Sequence, residues 1–270
     1  IREHILKDKP DKIVILHFLL VKPVLDILAE EKLKIPTIII TTDPFTPPRI
    51  WFVRKDAKFV VFSEKAKKYA EEKGIPAENI TTFPITINKK FAHPLPPKRI
   101  PALKKKYGFS PHKKLILITG GGTGLPKGHL YLKALLKDNK KAEFAVVAGK
   151  NKLLKKYCEK IQKLHPDRKI KIYEFIDFMY ELMNMADIVV TKGGPATVME
   201  TLMLEKPMII TSYIWAQEKG NVEFVVKNKV GYYETDPKKA SKKVKLLLQN
   251  KKTITQFQAN IKKVSIIKNG

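Results

Sequence analysis

Short, β-branched apolar runs alternate along the chain with stretches in which apolar residues return every three or four positions. A strand buried on both faces reads as a continuous apolar run and its crossover helix as an amphipathic one, so the alternation predicts an α/β fold built on parallel sheets. In the first third, strands are expected at Ile13 to Phe18, Thr37 to Thr42 and Phe59 to Phe62. A helix is expected from Pro23 to Lys32, and Ser63 is placed to cap a second one that stops at Gly74. Between Phe91 and Lys114 the chain carries Pro94, Pro96, Pro97, Pro101 and Pro111 among basic residues, without a sustained period. Residues 96–113 are therefore expected to be an interdomain linker.

The alternation then restarts. Strands are expected at Leu115 to Thr119, Glu143 to Ala148, Ile170 to Tyr173, Asp187 to Thr191, Met208 to Thr211 and Gly231 to Tyr233. Helices are expected at Lys127 to Lys137, Lys152 to Leu164, Tyr180 to Met185, Ala196 to Leu204, Glu218 to Asn228, Pro237 to Gln249 and Thr253 to Ile267. Two Rossmann-like domains follow, 1–95 and 114–250, with a C-terminal helix in 251–270 expected to pack back on the first. The first domain has too few strands to be complete. Since the first residue is Ile1 rather than Met, roughly a hundred preceding residues are expected to belong to it.

Composition narrows the function classes. With 44% hydrophobic and 9% aromatic residues the chain can build a sizeable core, despite a formal net charge of +27. The single cysteine, Cys158, excludes an internal disulfide, and no Cys/His cluster has zinc-ligand spacing, which points to a reducing compartment. No uncharged apolar run reaches the ~18 residues that span a bilayer. Of the 53 basic residues only five are Arg, whereas nucleic-acid readers favour the bidentate Arg fork. A lysine-rich composition without a specific partner ranks first, attraction to an anionic membrane surface second, and nucleic acid last.

Open α/β sheets bind ligands at the carboxyl ends of their strands, so the glycine-bearing turns after strands are the places to look. Thr119-Gly120-Gly121-Gly122-Thr123-Gly124 fits no G-x-G-x-x-G register, and Lys127 is followed by Gly128 rather than Ser or Thr, so a nicotinamide enzyme and a P-loop ATPase are both disfavoured. A tight turn that only lets the helix pack is an equal reading of this loop. The second turn, Thr191-Lys192-Gly193-Gly194-Pro195-Ala196-Thr197, offers close backbone approach, a proline suited to the first helical position, and free N–H groups for an anion. Glu200 lies one turn further on, where a carboxylate can accept hydrogen bonds from a ribose diol. Its plain alternative is a surface carboxylate.

The segment from Thr191 through Glu200, followed by Pro207-Met208-Ile209-Ile210 and Gln217-Glu218-Lys219-Gly220-Asn221, resembles the donor-binding half of GT-B glycosyltransferases. It is most similar to monogalactosyldiacylglycerol synthases and processive diacylglycerol glucosyltransferases, and more distantly to the peptidoglycan N-acetylglucosaminyltransferase. The resemblance extends through Gly120 to Gly124, Phe175-Ile176-Asp177, and Thr42-Asp43 to Trp51-Phe52. It implies two Rossmann-like domains with parallel sheets facing a cleft, and a UDP-sugar donor. Glu200 would hold the ribose hydroxyls. The backbone from Gly194 through Pro195 and Ala196 to Thr197, with Gly122 and Thr123, would hold the diphosphate. Phe175 and Ile176 would read the uracil edge through their backbone, and Gln217 and Glu218 would bind the donor hexose. Lys192, Gly193 and Asn221 complete the expected donor site.

No two Asp residues stand two apart, so the metal-holding Asp-x-Asp pattern is missing. Backbone N–H groups at a helix terminus can stabilise the leaving diphosphate instead, and a metal-independent reaction without cofactor is expected. By resemblance it would invert the anomeric centre, on a diacylglycerol or glycosyl-diacylglycerol acceptor, at the cytoplasmic, inner face of the cell membrane. A single displacement needs a general base. Asp43 is the candidate, with the ending of a strand before a Pro-rich turn as its plain reading; family members usually carry His where Pro48 stands. His17 is a second candidate, with a buried core histidine as the alternative. The basic run Lys238-Lys239-Ala240-Ser241-Lys242-Lys243-Val244-Lys245 is a candidate for contact with anionic lipid. Transfer of N-acetylglucosamine to a lipid-linked cell-wall precursor is the competing activity. A non-catalytic UDP-sugar-binding subunit is the competing non-enzyme.

Overall fold

The computed structural model describes residues 1–264. The chain divides into two compact units, Ile1–Ile85 with Trp215–Gly220, and Thr86–Ile214 with 221–264. The first contains α1 (Arg2–Asp8), β1 (Ile13–Ile15), α2 (Phe18–Glu30), β2 (Thr37–Ile40), β3 (Lys58–Val61), α3 (Glu64–Glu72) and β4 (Ile80–Thr82). Its four strands are parallel and lie in chain order, β1-β2-β3-β4. The period of two sends Ile15, Ile39, Phe59 and Val61 to one face, where they pack with Val21, Val24 and Leu28 of α2 and Ala66 and Ala70 of α3. On the opposite face Val14 and Ile38, which pair across β1 and β2, are 55% and 41% exposed.

Local signals explain the α3 boundaries. The Ser63 hydroxyl accepts from the Ala66 N–H at 3.1 Å and donates to the Pro44 carbonyl at 2.5 Å, and Gly74 takes the left-handed φ of +84° beyond the helix end. The apolar run after Ile13 behaves differently from expectation. The strand stops at Ile15, His17 caps α2 by accepting from the Leu19 N–H at 3.3 Å, and the helix runs through Pro23 rather than starting there. A continuous apolar run carries no period, so the pattern could not show where strand gives way to helix.

The second unit holds α4 (Ile100–Lys106), β5 (Leu115–Thr119), α5 (Gly128–Asp138), β6 (Glu143–Val147), α6 (Lys152–Lys163), β7 (Ile170–Tyr173), α7 (Met179–Met185), β8 (Ile188–Thr191), α8 (Pro195–Met203), β9 (Met208–Ile210), most of α9 (Lys219–Lys227), β10 (Gly231–Tyr233), α10 (Pro237–Gln249) and α11 (Lys251–Lys263). Its six parallel strands are ordered β10-β9-β8-β5-β6-β7. Every residue of β5, β6 and β8 is buried, as a parallel sheet covered on both faces requires.

Two expectations about domain organisation change here. Residues 96–113 are not a free linker: they contain α4 and are anchored in the second unit. Lys104, only 5% exposed, donates to the Lys113 carbonyl at 2.7 Å and reaches Asp187 at 3.4 Å; Ser110 bonds to the buried Glu143 carboxylate through its N–H and hydroxyl. Such partners lie far off in sequence and leave no local period. The C-terminal helix likewise seats its described part on the second unit. Phe257 enters that unit's core against Tyr232, and Asn260 donates to the Lys229 carbonyl at 2.9 Å. The rest of the expected helix, 265–267, lies outside the described residues.

Candidate donor-binding and carboxylate sites

In the second sheet β5 is flanked by β8 on one side and β6 on the other, with the chain progressing outward in both directions. The carboxyl ends of β5 and β8 are therefore the topological switch point, where an open α/β sheet leaves a crevice for a ligand. Both glycine turns predicted from the sequence lie there. The Ile118 and Val190 pairing places the turn after Thr119 beside the turn after Thr191.

The first turn is held by backbone: Gly124 donates to the Gly121 carbonyl at 3.0 Å and Lys150 to the Gly122 carbonyl at 2.8 Å. Gly124 has a φ of +69°, and a Cβ there would meet the Ala148 carbonyl oxygen at 2.5 Å, so the turn needs glycine for both conformation and space. Gly122 and Thr123 are exposed, with open space around Gly122. In the second turn, Gly193 donates to the Ser212 carbonyl at 2.8 Å, and its own carbonyl accepts from the buried Asn221 amide at 2.7 Å. Asn221 thus acts on the turn from beneath, as a brace.

Helix α8 begins with Gly194 as cap, Pro195 at its first position, and no side-chain cap. Its leading N–H groups, at Ala196 and Thr197, have no intrahelical partner and form an anion-accepting end. Lys192 precedes them, half-buried. Glu200 is half-buried on the same helix, and no partner for its carboxylate is found among the described residues. Burial pushes its carboxyl from 4.5 up to about 7. An unpaired, partly desolvated acid one turn from an uncapped helix start is suited to accept hydroxyl groups from a ligand whose anion sits on the helix end. Phe175, 68% exposed, and the half-buried Ile176 follow β7 at the same edge of the sheet. Sequence reasoning did not single out Thr119 and Ser212. Their buried hydroxyls lack partners among the described residues and lie at the carboxyl ends of β5 and β9; Thr119 at least stands beside a glycine turn in the sequence, whereas Ser212 has no such neighbour.

The remaining candidates group in the first unit. Asp43 is 6% exposed and accepts from the Trp51 indole N–H at 2.7 Å. Burial pushes its carboxyl above the usual range; the Trp51 bond opposes this, the charge of Glu218 adds to it, and His17 counters it. Glu218, 4% exposed, belongs to the Trp215–Gly220 segment grouped with this unit. Gln217 is on the same segment. His17 is an exposed helix cap rather than a buried core histidine. The structure thus joins Asp43, Trp51 and Glu218 into one cluster. Trp51 was missed as a functional residue because its eight-residue separation from Asp43 follows no periodic pattern.

Comparison with known proteins matches residues 115–269 to the Glycosyltransferase family 28 C-terminal domain and residues 1–87 to the monogalactosyldiacylglycerol (MGDG) synthase family. The chain is 30% identical over 244 residues to a probable chloroplastic monogalactosyldiacylglycerol synthase of Nicotiana tabacum, covering 87% of this chain and 45% of that protein. It is 29% identical over 232 residues to a processive diacylglycerol beta-glucosyltransferase of Bacillus licheniformis, covering 86% of this chain and 59% of the relative. The chain therefore spans about half the length of these relatives. Among solved structures, Anabaena HepE in complex with UDP and glucose superposes with a TM-score of 0.67 at 14% identity, covering 93% of this chain and 72% of that one. That likeness supports the GT-B class for two α/β units with parallel sheets.

Proposed function

Because the chain belongs to the glycosyltransferase family 28 C-terminal domain family, we propose that it is the donor-binding part of an inverting, metal-independent hexosyltransferase. It moves a sugar from a UDP-sugar to diacylglycerol or a glycosyl-diacylglycerol. The observation that carries this reading is the unpartnered Glu200 carboxylate one turn beyond the uncapped start of α8, at the switch point of the second sheet. Glu200 accepts the ribose hydroxyls, and the N–H groups of Ala196 and Thr197 with the exposed Gly122 and Thr123 meet the diphosphate. The backbone at Phe175 and Ile176 meets the base. The relatives named for galactosyl- and glucosyl-diacylglycerol synthesis support the acceptor class, and the UDP complex of HepE supports the donor class.

In the transfer, the acceptor hydroxyl oxygen bonds to the anomeric carbon while the bond from that carbon to the β-phosphate oxygen breaks, its electron pair leaving with UDP. The hydroxyl proton passes to Asp43, whose carboxyl burial raises above the usual range, which makes it a stronger base than a solvated carboxylate. The negative charge that builds on the diphosphate is met by fixed N–H dipoles of α8, which need no reorganisation as it forms. Gln217 and Glu218 meet the donor hexose. No helix among the described residues is long and apolar enough to cross a membrane; the reading places the enzyme on the inner face of the cell membrane, held to anionic lipid by its lysine excess.

Calorimetric titration with UDP tests the site. Glu200→Ala should weaken binding by about 10- to 100-fold, the loss of hydrogen bonds to a charged acceptor worth about 1.5–3 kcal/mol. Equal affinity in the variant refutes the assignment.

A further inference from the structure

The Trp215–Gly220 segment is tied to the turn after Asp43 by one side chain. The Thr46 hydroxyl donates to the Gln217 carbonyl at 3.3 Å and accepts from the Gly220 N–H at 2.9 Å, so both of its hydrogen-bonding roles are spent on this segment. The fit is close: a Cβ added at Gly220 would lie 2.6 Å from the Phe45 Cβ and 2.8 Å from both the Thr46 Cγ2 and Oγ1. The segment so held carries Glu218, buried and within charge range of Asp43, which Trp51 fixes from the other side.

We propose that Thr46 is a positioning residue: its hydroxyl latches the 215–220 segment so that the carboxyl of Glu218 is kept in a set relation to that of Asp43. This rests on the reading that Asp43 is the base and that Gln217 and Glu218 meet the donor hexose. With the segment latched, the two buried side chains stay in register, Asp43 for the acceptor proton and Glu218 for the donor hexose. Trp51 donates to Asp43, and His17 lies within charge range of it. A threonine inside a proline-rich turn and a glycine at the start of a helix carry no sign of this link in the sequence.

The test is transfer from a UDP-sugar to diacylglycerol by the wild type and by Thr46→Val, Thr46→Ser, Gly220→Ala and Asp43→Asn, alongside UDP titration and amide hydrogen exchange at Gly220. Thr46→Val keeps the shape and removes both bonds. It should lower kcat at least about ten-fold, as small misplacements of catalytic groups do, with UDP affinity unchanged and protection at Gly220 lost. Thr46→Ser should restore kcat and protection, and Gly220→Ala, which keeps the threonine but crowds its Cγ2 and Oγ1, should resemble Thr46→Val. Wild-type kcat in Thr46→Val while Asp43→Asn is inactive overturns the latch and leaves the proposed base standing. Full activity in Asp43→Asn overturns the base assignment, and Gly220 protection in Thr46→Val then decides the latch separately.

Discussion

The two sheets of this protein solve the same packing problem to different degrees. The second has six parallel strands, and four of them, β5, β6, β8 and β9, are buried along their whole length. The first has four strands of three or four residues, one face packed on α2 and α3, the other presenting Val14 and Ile38 to solvent. Parallel sheets are ordinarily covered on both faces, so the second unit derives its stability from a two-sided core and the first from a one-sided one. The chemistry divides along the same line. The second unit carries a helix start and an acid fixed by a complete sheet, while the first carries a carboxylate cluster fixed by side-chain hydrogen bonds.

Perturbing each unit at matched positions sharpens this contrast. The largest effect is expected at the charge cluster beneath the second sheet. There Lys104 and Lys114 hold the Asp187 carboxyl below its usual range, against the opposing effect of burial. Lys104→Met should cost about 3–5 kcal/mol in denaturant unfolding, since it leaves the buried acid with one ion-pair partner, the more exposed Lys114; a neutral result breaks the claim that 96–113 is integral to the unit. Leu117→Ala, at a fully buried position of β5, should cost about 2–5 kcal/mol by the same measurement.

Glu200 gives a pH-dependent effect. Its carboxyl is raised from 4.5 to about 7 in the folded chain, so the favourable neutral form is fully present below 4.5. That stability is lost as pH rises through about 7. Glu200→Gln should therefore melt higher than the wild type at pH 8, with the gap closing by about pH 4.5. A constant gap across that range would show that burial does not govern this acid.

Smaller effects are expected in the first unit. Ser63→Ala removes the α3 cap and should cost about 1 kcal/mol. Val14→Thr, on the uncovered face, should change stability by no more than about 0.5 kcal/mol. A loss as large as that of Leu117→Ala would mean that the face of Val14 is buried in solution.

How far the fold was legible followed the punctuation of the chain. Leu115–Thr119, Ile170–Tyr173, Gly231–Tyr233 and Pro237–Gln249 match expectation to the residue. In each, a change of period or a turn residue marks the ends. The chain between Ile13 and Glu30 has no such mark, and there the strand was drawn too long and the helix begun too late. Helix α1 and strand β4 went unanticipated, being seven and three residues long. At the candidate site the glycine turns and Glu200 were visible because a helix start and its first turns are contiguous in sequence. The partnership of Asp43 with Trp51 was not, nor that of Thr46 with Gly220.

The sequence by itself determined the alternation of strands and helices, the two glycine turns, and the acid one turn along α8, because period, caps and turn chemistry act over a few residues. Only the tertiary structure decided that β5 and β8 are neighbours, that Lys104 anchors the proline-rich stretch, that Phe257 seats the last helix on the second unit, and that Glu218 lies within charge range of Asp43. These depend on which distant groups share a low-dielectric interior, where an unpaired charge or donor is costly. That cost is settled by three-dimensional proximity, which no local pattern encodes.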